Sequence, residues 1–154
     1  MHKINWKFDN TYSKLSETFR EFVKPTPVHN PEIVIFNHQL AQELNLDFSK
    51  ISNIELSKIF SGNSLPQESK TLAQAYAGHQ FGHFTMLGDG RAVLLGEHLD
   101  NKKNRYDIQF KGSGRTSFSR GGDGRAALGP MLREYIISEA IHSLNIPTTR
   151  SLAV

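Results

Sequence analysis

The chain has 154 residues, no cysteine and a formal net charge of +3 at pH 7. This length suits one domain, or a domain with an extension, and is enough to bury a hydrophobic core. The lack of cysteine excludes a disulfide framework and a thiolate metal site, and so small a charge does not by itself indicate nucleic-acid binding. No apolar run reaches membrane-spanning length and the first residues are not typical of a secretory signal, so we expect a soluble cytoplasmic protein.

The first half of the chain, residues 1–74, is predicted to be a mainly helical extension. Its predicted elements are a helix over residues 12–22, a strand over 32–36, a helix that Asn37 caps and that ends at Leu44, and a short helix over 54–60. The first helix would place Leu15, Phe19 and Phe22 on one face. This half is interpreted as packing material for the second half, residues 75–154.

The second half is centred on a glycine turn, Gly88-Asp89-Gly90-Arg91. A strand is predicted before it, over residues 81–87, and the apolar run 92–96 follows it. Gly88 and Gly90 can both take φ > 0, so the turn can close tightly while its backbone N–H groups stay unobstructed. Such a turn can lie over a ligand.

A polar hairpin loop, residues 100–105, leads into a strand that ends at Lys111. Side chains alternate along a strand, so Ile108 and Phe110 share one face with Tyr106, and Lys111 lies on the polar face. An ammonium group at that position suits phosphate oxygens. Taken alone, Lys111 is far more typical of an ordinary exposed strand lysine than of a phosphate ligand.

The loop of residues 112–125 gives Lys111 its context. Its five glycines alternate with hydroxyls and with arginines, and such a loop supplies positive charge and free backbone donors together; the cations of the region are Lys111, Arg115, Arg120 and Arg125. Asp123, followed by Gly124, is the only acid in the loop. It could accept a hydrogen bond from a ribose or from a nucleotide-contacting arginine, or it could hold Arg125.

A helix is predicted after this loop, with Pro130 at its first position and with Asn145 and Pro147 at its end. Its apolar stripe comprises Met131, Leu132, Tyr135, Ile136, Ala140, Ile141 and Leu144. Glu134 lies off the centre of this stripe, where it could turn to the sheet and pair with Lys111. Glu139 is the competing partner.

Two common phosphate motifs do not fit. No G-x-x-x-x-G-K-[ST] string is present, and Ser117 stands where a dinucleotide fingerprint needs its third glycine. A kinase-like plan remains, with a turn over phosphates, a lysine on the third strand and a glutamate on the next helix. His79 and His83 are four residues apart, but glycines beside them argue against a helix, so packing is favoured over metal binding.

Several motifs together resemble the selenoprotein O/YdiU family. They are Ala75-Tyr76-Ala77-Gly78-His79-Gln80-Phe81-Gly82, Leu87-Gly88-Asp89-Gly90-Arg91, Lys111-Gly112-Ser113-Gly114, Gly122-Asp123-Gly124-Arg125-Ala126 and Ile146-Pro147-Thr148-Thr149-Arg150. Phe8-Asp9-Asn10-Thr11-Tyr12 and Pro25-Thr26-Pro27-Val28 are similar too, so the resemblance covers nearly the whole chain.

The resemblance implies an α+β fold, a protein-kinase-like N-terminal lobe in which an antiparallel sheet packs with a Glu-bearing helix. It implies an enzyme that binds ATP in a flipped orientation and transfers AMP to Ser, Thr or Tyr hydroxyls of proteins, with Mg²⁺ or Mn²⁺ as metal ion. The nucleotide-binding residues it implies are Gly88, Gly90, Arg91, Lys111, Asp123 and Gly124, with Glu134 as the ion-pair partner of the lysine.

The family's catalytic base and metal ligands lie in a later lobe. We therefore expect no catalytic residue and no metal ligand in this chain, and no turnover by the chain alone. Two other interpretations stay open, a polyanion- or nucleic-acid-binding module and an inert truncated remnant. A polyanion-binding module would lose affinity steeply as the salt concentration rises. An inert remnant would fold and bind no specific ligand.

Overall fold

The computed structural model describes residues 4–154. In chain order its elements are a 3-10 helix (Tyr12–Lys14), β1 (Arg20–Phe22), α1 (His38–Glu43), α2 (Asn53–Phe60), β2 (Leu72–Gln80), β3 (His83–Gly88), β4 (Ala92–Leu99), β5 (Arg105–Lys111) and α3 (Leu128–Ser143). This is an α+β architecture, as predicted. Within residues 4–154, none of the helices combines the length and the apolarity that a membrane span requires.

The strands form a five-stranded antiparallel sheet in the order β1-β2-β4-β5, and β3 pairs with β2 alone. The start of β2 pairs with β1 and meets β4 at Leu72, whereas residues 75–80 pair with β3. Phe81 and Gly82 both have positive φ and close this hairpin, which suits the twist of the two strands. The glycine turn therefore lies at the end of the sheet where β3 stops and β4 starts.

The buried apolar side chains form two clusters. The larger one contains Ile4, Leu40, Ala41, Leu44, Leu46, Phe48 and Leu56, and the smaller one contains Val93, Leu95 and Phe110. His98 of β4 is 1% exposed and its Nε2 hydrogen-bonds the Leu44 carbonyl at 2.8 Å. Burial lowers the pKa of His98, so a neutral imidazole ties the sheet to the end of α1.

The elements that are fixed by residues close by in the sequence lie where they were predicted. The Asn37 side chain accepts the Leu40 N–H and caps α1, and Leu40, Ala41 and Leu44 are buried. Helix α2 lies where a short helix was predicted and begins with a capping box at Ser52, which was not predicted. Residues 100–104 form the loop of the β4–β5 hairpin, because Arg105 already pairs with Leu99.

The predicted helix over residues 12–22 is wrong. A single 3-10 turn is followed by the edge strand β1, and Leu15, Phe19 and Phe22 are 42–55% exposed. Long-range partners decide this segment, since β1 pairs with β2 in register Glu21↔Ala73 and the buried Glu97 carboxylate accepts the Tyr12 N–H.

Three smaller differences from the predicted elements are also found. Residues 32–36 form no regular strand, although Phe36 makes an isolated bridge with Ala153 and the Val34 and Ile35 N–H groups donate to the Val154 carbonyl. Helix α3 begins two residues before Pro130, which lies in its first turn, and β2 was not predicted at all. The division at residues 74 and 75 stays a prediction, and β2 runs across it.

The apolar stripe of α3 is only partly covered. Met131, Leu132, Tyr135 and Ile141 are half-buried, whereas Ile136 and Leu144 are 62% and 70% exposed. Ser138, at 9% exposed, is the one buried residue of this helix. Much of the apolar stripe of α3 therefore stays exposed.

Candidate nucleotide-binding site

An ion pair joins the sheet to α3 at Lys111 and Glu134. Lys111 is the last residue of β5, and its Nζ lies 2.7 and 2.6 Å from the two carboxylate oxygens of Glu134. The side chains are 41% and 49% exposed, so the pair contributes little to stability and mainly fixes the direction of the lysine. Glu139, the competing partner, pairs instead with Arg150.

The glycine turn lies beside this lysine. Lys111 is the cross-strand partner of Ala92, the residue that follows the turn, and the Gly112 N–H donates to the Arg91 carbonyl at 2.6 Å. A Cβ on Gly88 would lie 2.3 Å from the Phe118 ring, so no other residue fits there without displacing that ring. The lysine and the turn thus lie next to each other at the same end of the sheet.

Asp89 anchors the turn to the sheet. Its carboxylate accepts the Gln74 N–H at 3.1 Å and the Gln109 side-chain amide at 3.2 Å, and its own N–H donates to the Gln74 carbonyl. Burial raises the pKa of the Asp89 carboxyl, and these two donors oppose the rise. The side chain points into the protein and leaves the outer face of the turn to the backbone.

The loop of residues 112–125 folds back on itself through its glycines. The Gly114 N–H donates to the Gly124 carbonyl at 3.1 Å, and Ser113 bridges to Arg125. Gly124 has φ +70°, and a Cβ there would lie 1.9 Å from the Gly114 carbonyl oxygen. Only glycine satisfies both conditions, so Gly124 is required for the closure of the loop.

Asp123, at the closure of this loop, is exposed, and its Oδ1 accepts the Arg125 N–H at 2.9 Å. Of the roles left open by the sequence, the structure contains this contact with Arg125. The other roles concern a nucleotide and stay predictions.

Unneutralised cations surround the turn. Arg91, Arg115 and Arg120 are exposed, and within residues 4–154 no carboxylate lies at ion-pair distance from any of them. Lys111 lies beside them but is paired with Glu134, so the three arginines give this region its positive character. An open, positive, glycine-lined surface is suited to a polyphosphate.

Sequence reasoning missed the side chains that connect the two glycine segments. The hydroxyls of Thr116 and Ser119 donate to backbone carbonyls of the turn, at Asp89 and Gly90 respectively. The abundance of hydroxyls in the loop was evident, but no spacing rule indicates which of them reach a turn more than 25 residues earlier.

Metal ligands are not gathered in the described part of the chain. Among residues 4–154 no three His, Asp or Glu side chains converge on a common point. His79 and His83 lie on β2 and β3, where His79 contacts the Phe84 ring and His83 Nδ1 lies 3.1 Å from the Phe81 carbonyl. These residues alone do not fit a divalent ion.

Comparison with known proteins identifies the family. The model of the family described as protein adenylyltransferase SelO matches residues 2–154. Proteins named protein nucleotidyltransferase YdiU are 70% identical in Pelagibacter ubique (strain HTCC1062), over 98% of this chain, and 63% identical in Anoxybacillus flavithermus (strain DSM 21510 / WK1), over 97% of it. In both cases the matched segment is 31% of the relative's length.

The chain therefore belongs to the SelO family, which confirms the resemblance seen in the motifs. The names of its relatives indicate a family of protein nucleotidyltransferases. This sequence spans about a third of the length of the relatives it matches.

Proposed function

We propose that this chain is the ATP-binding part of a protein nucleotidyltransferase that transfers AMP from ATP to Ser, Thr or Tyr hydroxyls of proteins. The observation that carries the proposal is the Lys111–Glu134 ion pair beside a glycine turn, in a chain of the SelO family. A kinase-like lobe with its nucleotide at the sheet edge and a cytoplasmic location belong to the same proposal.

Each proposed binding residue has a physical task. Glu134 holds the Lys111 ammonium in one direction, from which it offsets charge on the phosphates. Gly88 and Gly90 let the phosphates approach the backbone, and Arg91 supplies a second cation. Asp123 and Gly124 shape the neighbouring loop, where a ribose or phosphate would lie against backbone donors.

The transfer itself requires groups beyond these residues. A substrate hydroxyl attacks the α-phosphorus, a new O–P bond forms, and the bond to pyrophosphate breaks. The hydroxyl proton passes to a general base that residues 4–154 do not supply in our assignment. Mg²⁺ would neutralise phosphate charge, and its ligands would lie outside this sequence as well. The isolated chain is therefore proposed to bind nucleotide without turnover.

Calorimetric titration of the chain with ATP and Mg²⁺ tests the binding proposal. Lys111→Ala is expected to weaken ATP binding about tenfold or more, because it removes a charged hydrogen-bond donor. Lys102→Ala is the matched control, since Lys102 is an exposed lysine at the other end of the same hairpin. Equal ATP affinity of the wild type and Lys111→Ala would contradict the proposal.

The unpaired arginines favour a second candidate, a general polyanion-binding surface. Inorganic tripolyphosphate and single-stranded DNA, titrated at two salt concentrations, separate the two candidates. A nucleotide site prefers ATP at both concentrations, whereas a polyanion surface binds all three ligands and loses affinity steeply with salt. AMP transfer is then tested by mass spectrometry on a fusion of this chain to the remaining segment of the Pelagibacter relative.

A further inference from the structure

Two hydroxyl groups connect the glycine turn to the loop that follows β5. The Thr116 hydroxyl donates to the Asp89 carbonyl at 2.6 Å, and the Ser119 hydroxyl donates to the Gly90 carbonyl at 2.6 Å. Each side chain is half-buried. We refer to Thr116 and Ser119 as the hydroxyl clamp.

Hydrogen bonds inside the loop orient the clamp. The Ser119 oxygen accepts the Thr116 N–H at 2.9 Å, and the Thr116 oxygen accepts the Phe118 N–H at 3.1 Å. Because each oxygen already accepts a backbone donor, its own hydrogen is directed to the turn. The Phe118 ring, between the two clamp residues in sequence, packs on Gly88 and closes the contact.

The clamp also determines where the backbone donors of the turn point. In a trans peptide the C=O and the following N–H point in opposite directions. The Asp89 carbonyl faces Thr116, so the Gly90 N–H faces away from the loop, and the Gly90 carbonyl faces Ser119, so the Arg91 N–H faces away as well. Among residues 4–154, neither N–H finds a protein acceptor.

We propose that Thr116 and Ser119 are positioning residues, which hold the turn so that the N–H groups of Gly90 and Arg91 meet the phosphates of the nucleotide. This inference rests on the proposed function. The clamp residues lie on the opposite side of the turn from those N–H groups, so they act through the backbone and do not touch the ligand.

Conservative variants separate the clamp from its neighbours. Thr116→Val keeps the branched shape of the side chain and removes its hydroxyl. Ser119→Ala removes the hydroxyl of the serine, and Thr116→Ser keeps a hydroxyl at position 116 while removing the methyl group. Ser117→Ala is the matched control, because the Ser117 side chain is exposed and its hydroxyl makes no hydrogen bond to any of residues 4–154. Circular dichroism selects the variants that remain folded.

Two measurements follow on the folded variants. In the ¹⁵N-labelled chain without ligand, Thr116→Val and Ser119→Ala should lower the heteronuclear NOE of the Gly90 and Arg91 amides, and Ser117→Ala should leave it unchanged. In ATP titrations, the clamp variants should bind about tenfold more weakly, as the loss of an ordering hydrogen bond predicts, and Thr116→Ser should recover wild-type affinity.

The outcomes distinguish this inference from the proposed function. Reduced amide order with weaker binding and rescue by Thr116→Ser supports the clamp. If the wild type binds ATP through Lys111 while both clamp variants bind equally well or keep ordered amides, the clamp is refuted and the proposed function stands. If the wild type binds no ATP, the proposed function fails, and the role of the clamp toward a nucleotide fails with it.

Discussion

Arg150 connects α3 to α1, and its replacement should measurably destabilise the chain. Its Nε and Nη2 atoms lie 2.9 and 2.7 Å from the two carboxylate oxygens of Glu139, and Nη1 also pairs with Glu43. The Arg150 side chain is 11% exposed, whereas those of Glu139 and Glu43 are 26% and 43% exposed. We therefore expect the ion pair with Glu139 to contribute more to the free energy of unfolding than the ion pair with Glu43.

The magnitude follows from these exposures. A bidentate, charge-assisted pair that is largely shielded from water contributes about 2 kcal/mol, and the half-exposed pair with Glu43 adds about 0.5 kcal/mol. Arg150→Met keeps much of the aliphatic stem and removes both pairs, so the free energy of unfolding should fall by about 2.5 kcal/mol. For a domain of this size that lowers Tm by about 5–10 °C.

Urea unfolding followed by the fluorescence of Trp6, the only tryptophan, measures this loss. Glu139→Gln should lose most of the same energy and Glu43→Gln little. Arg133→Met, on the exposed side of α3 and without an ion pair among the described residues, is the control. A loss below about 0.5 kcal/mol for Arg150→Met, the range of ordinary surface substitutions, would refute the reasoning.

The contribution of this pair should also depend on pH. The Arg150 hydrogen bonds hold the pKa of the Glu139 carboxyl below its ordinary value of 4.5. A lowered carboxyl pKa stabilises the fold above the unfolded pKa, and this stabilisation disappears as the pH falls through the folded value. The stability difference between wild type and Arg150→Met should therefore be full at neutral pH and shrink in acid.

Three further outcomes are expected. Burial lowers the pKa of His98, so the free energy of unfolding should decline as the pH falls below 6.5. In unfolding titrations at several pH values, His98→Gln should make this decline flatter, whereas His29→Gln, at an exposed position, should leave it unchanged. Gly124→Ala should cost about 2 kcal/mol or more in urea unfolding and weaken ATP binding, because it adds a clash with a backbone carbonyl to left-handed strain; Gly121→Ala has φ +88° with open space around it and should show the strain alone. Ser52→Ala removes a helix cap and should cost about 1 kcal/mol of unfolding free energy, and an unchanged urea midpoint would contradict the capping assignment.

Local chemistry made part of the fold predictable. Asn37 caps α1 because its side chain reaches an N–H only three residues away, and the polar loop 100–104 joins two strands that are consecutive in sequence. Alternation along β5 placed Lys111 on the polar face, from which it reaches Glu134. Each of these features depends on contacts within a short stretch of chain or between consecutive elements.

Features that depend on distant partners were not predictable in the same way. Residues 20–22 have side chains suited to either a helix or a strand, and pairing with β2 selects the strand. Periodicity indicated an apolar stripe on α3 but not that Ile136 and Leu144 stay exposed.

The amino-acid sequence by itself determined the family, the helix capped by Asn37, the β4–β5 hairpin, and which lysine and glycines are proposed for the candidate site. The tertiary structure alone decided that Glu134 and not Glu139 faces Lys111, and that Thr116 and Ser119 reach the turn at Asp89 and Gly90. The physical reason is the distance along the chain between the interacting residues. Caps and turns are governed by neighbours along the chain, whereas the partner of a side chain more than 20 residues away is set by how the sheet, the loop and α3 pack together.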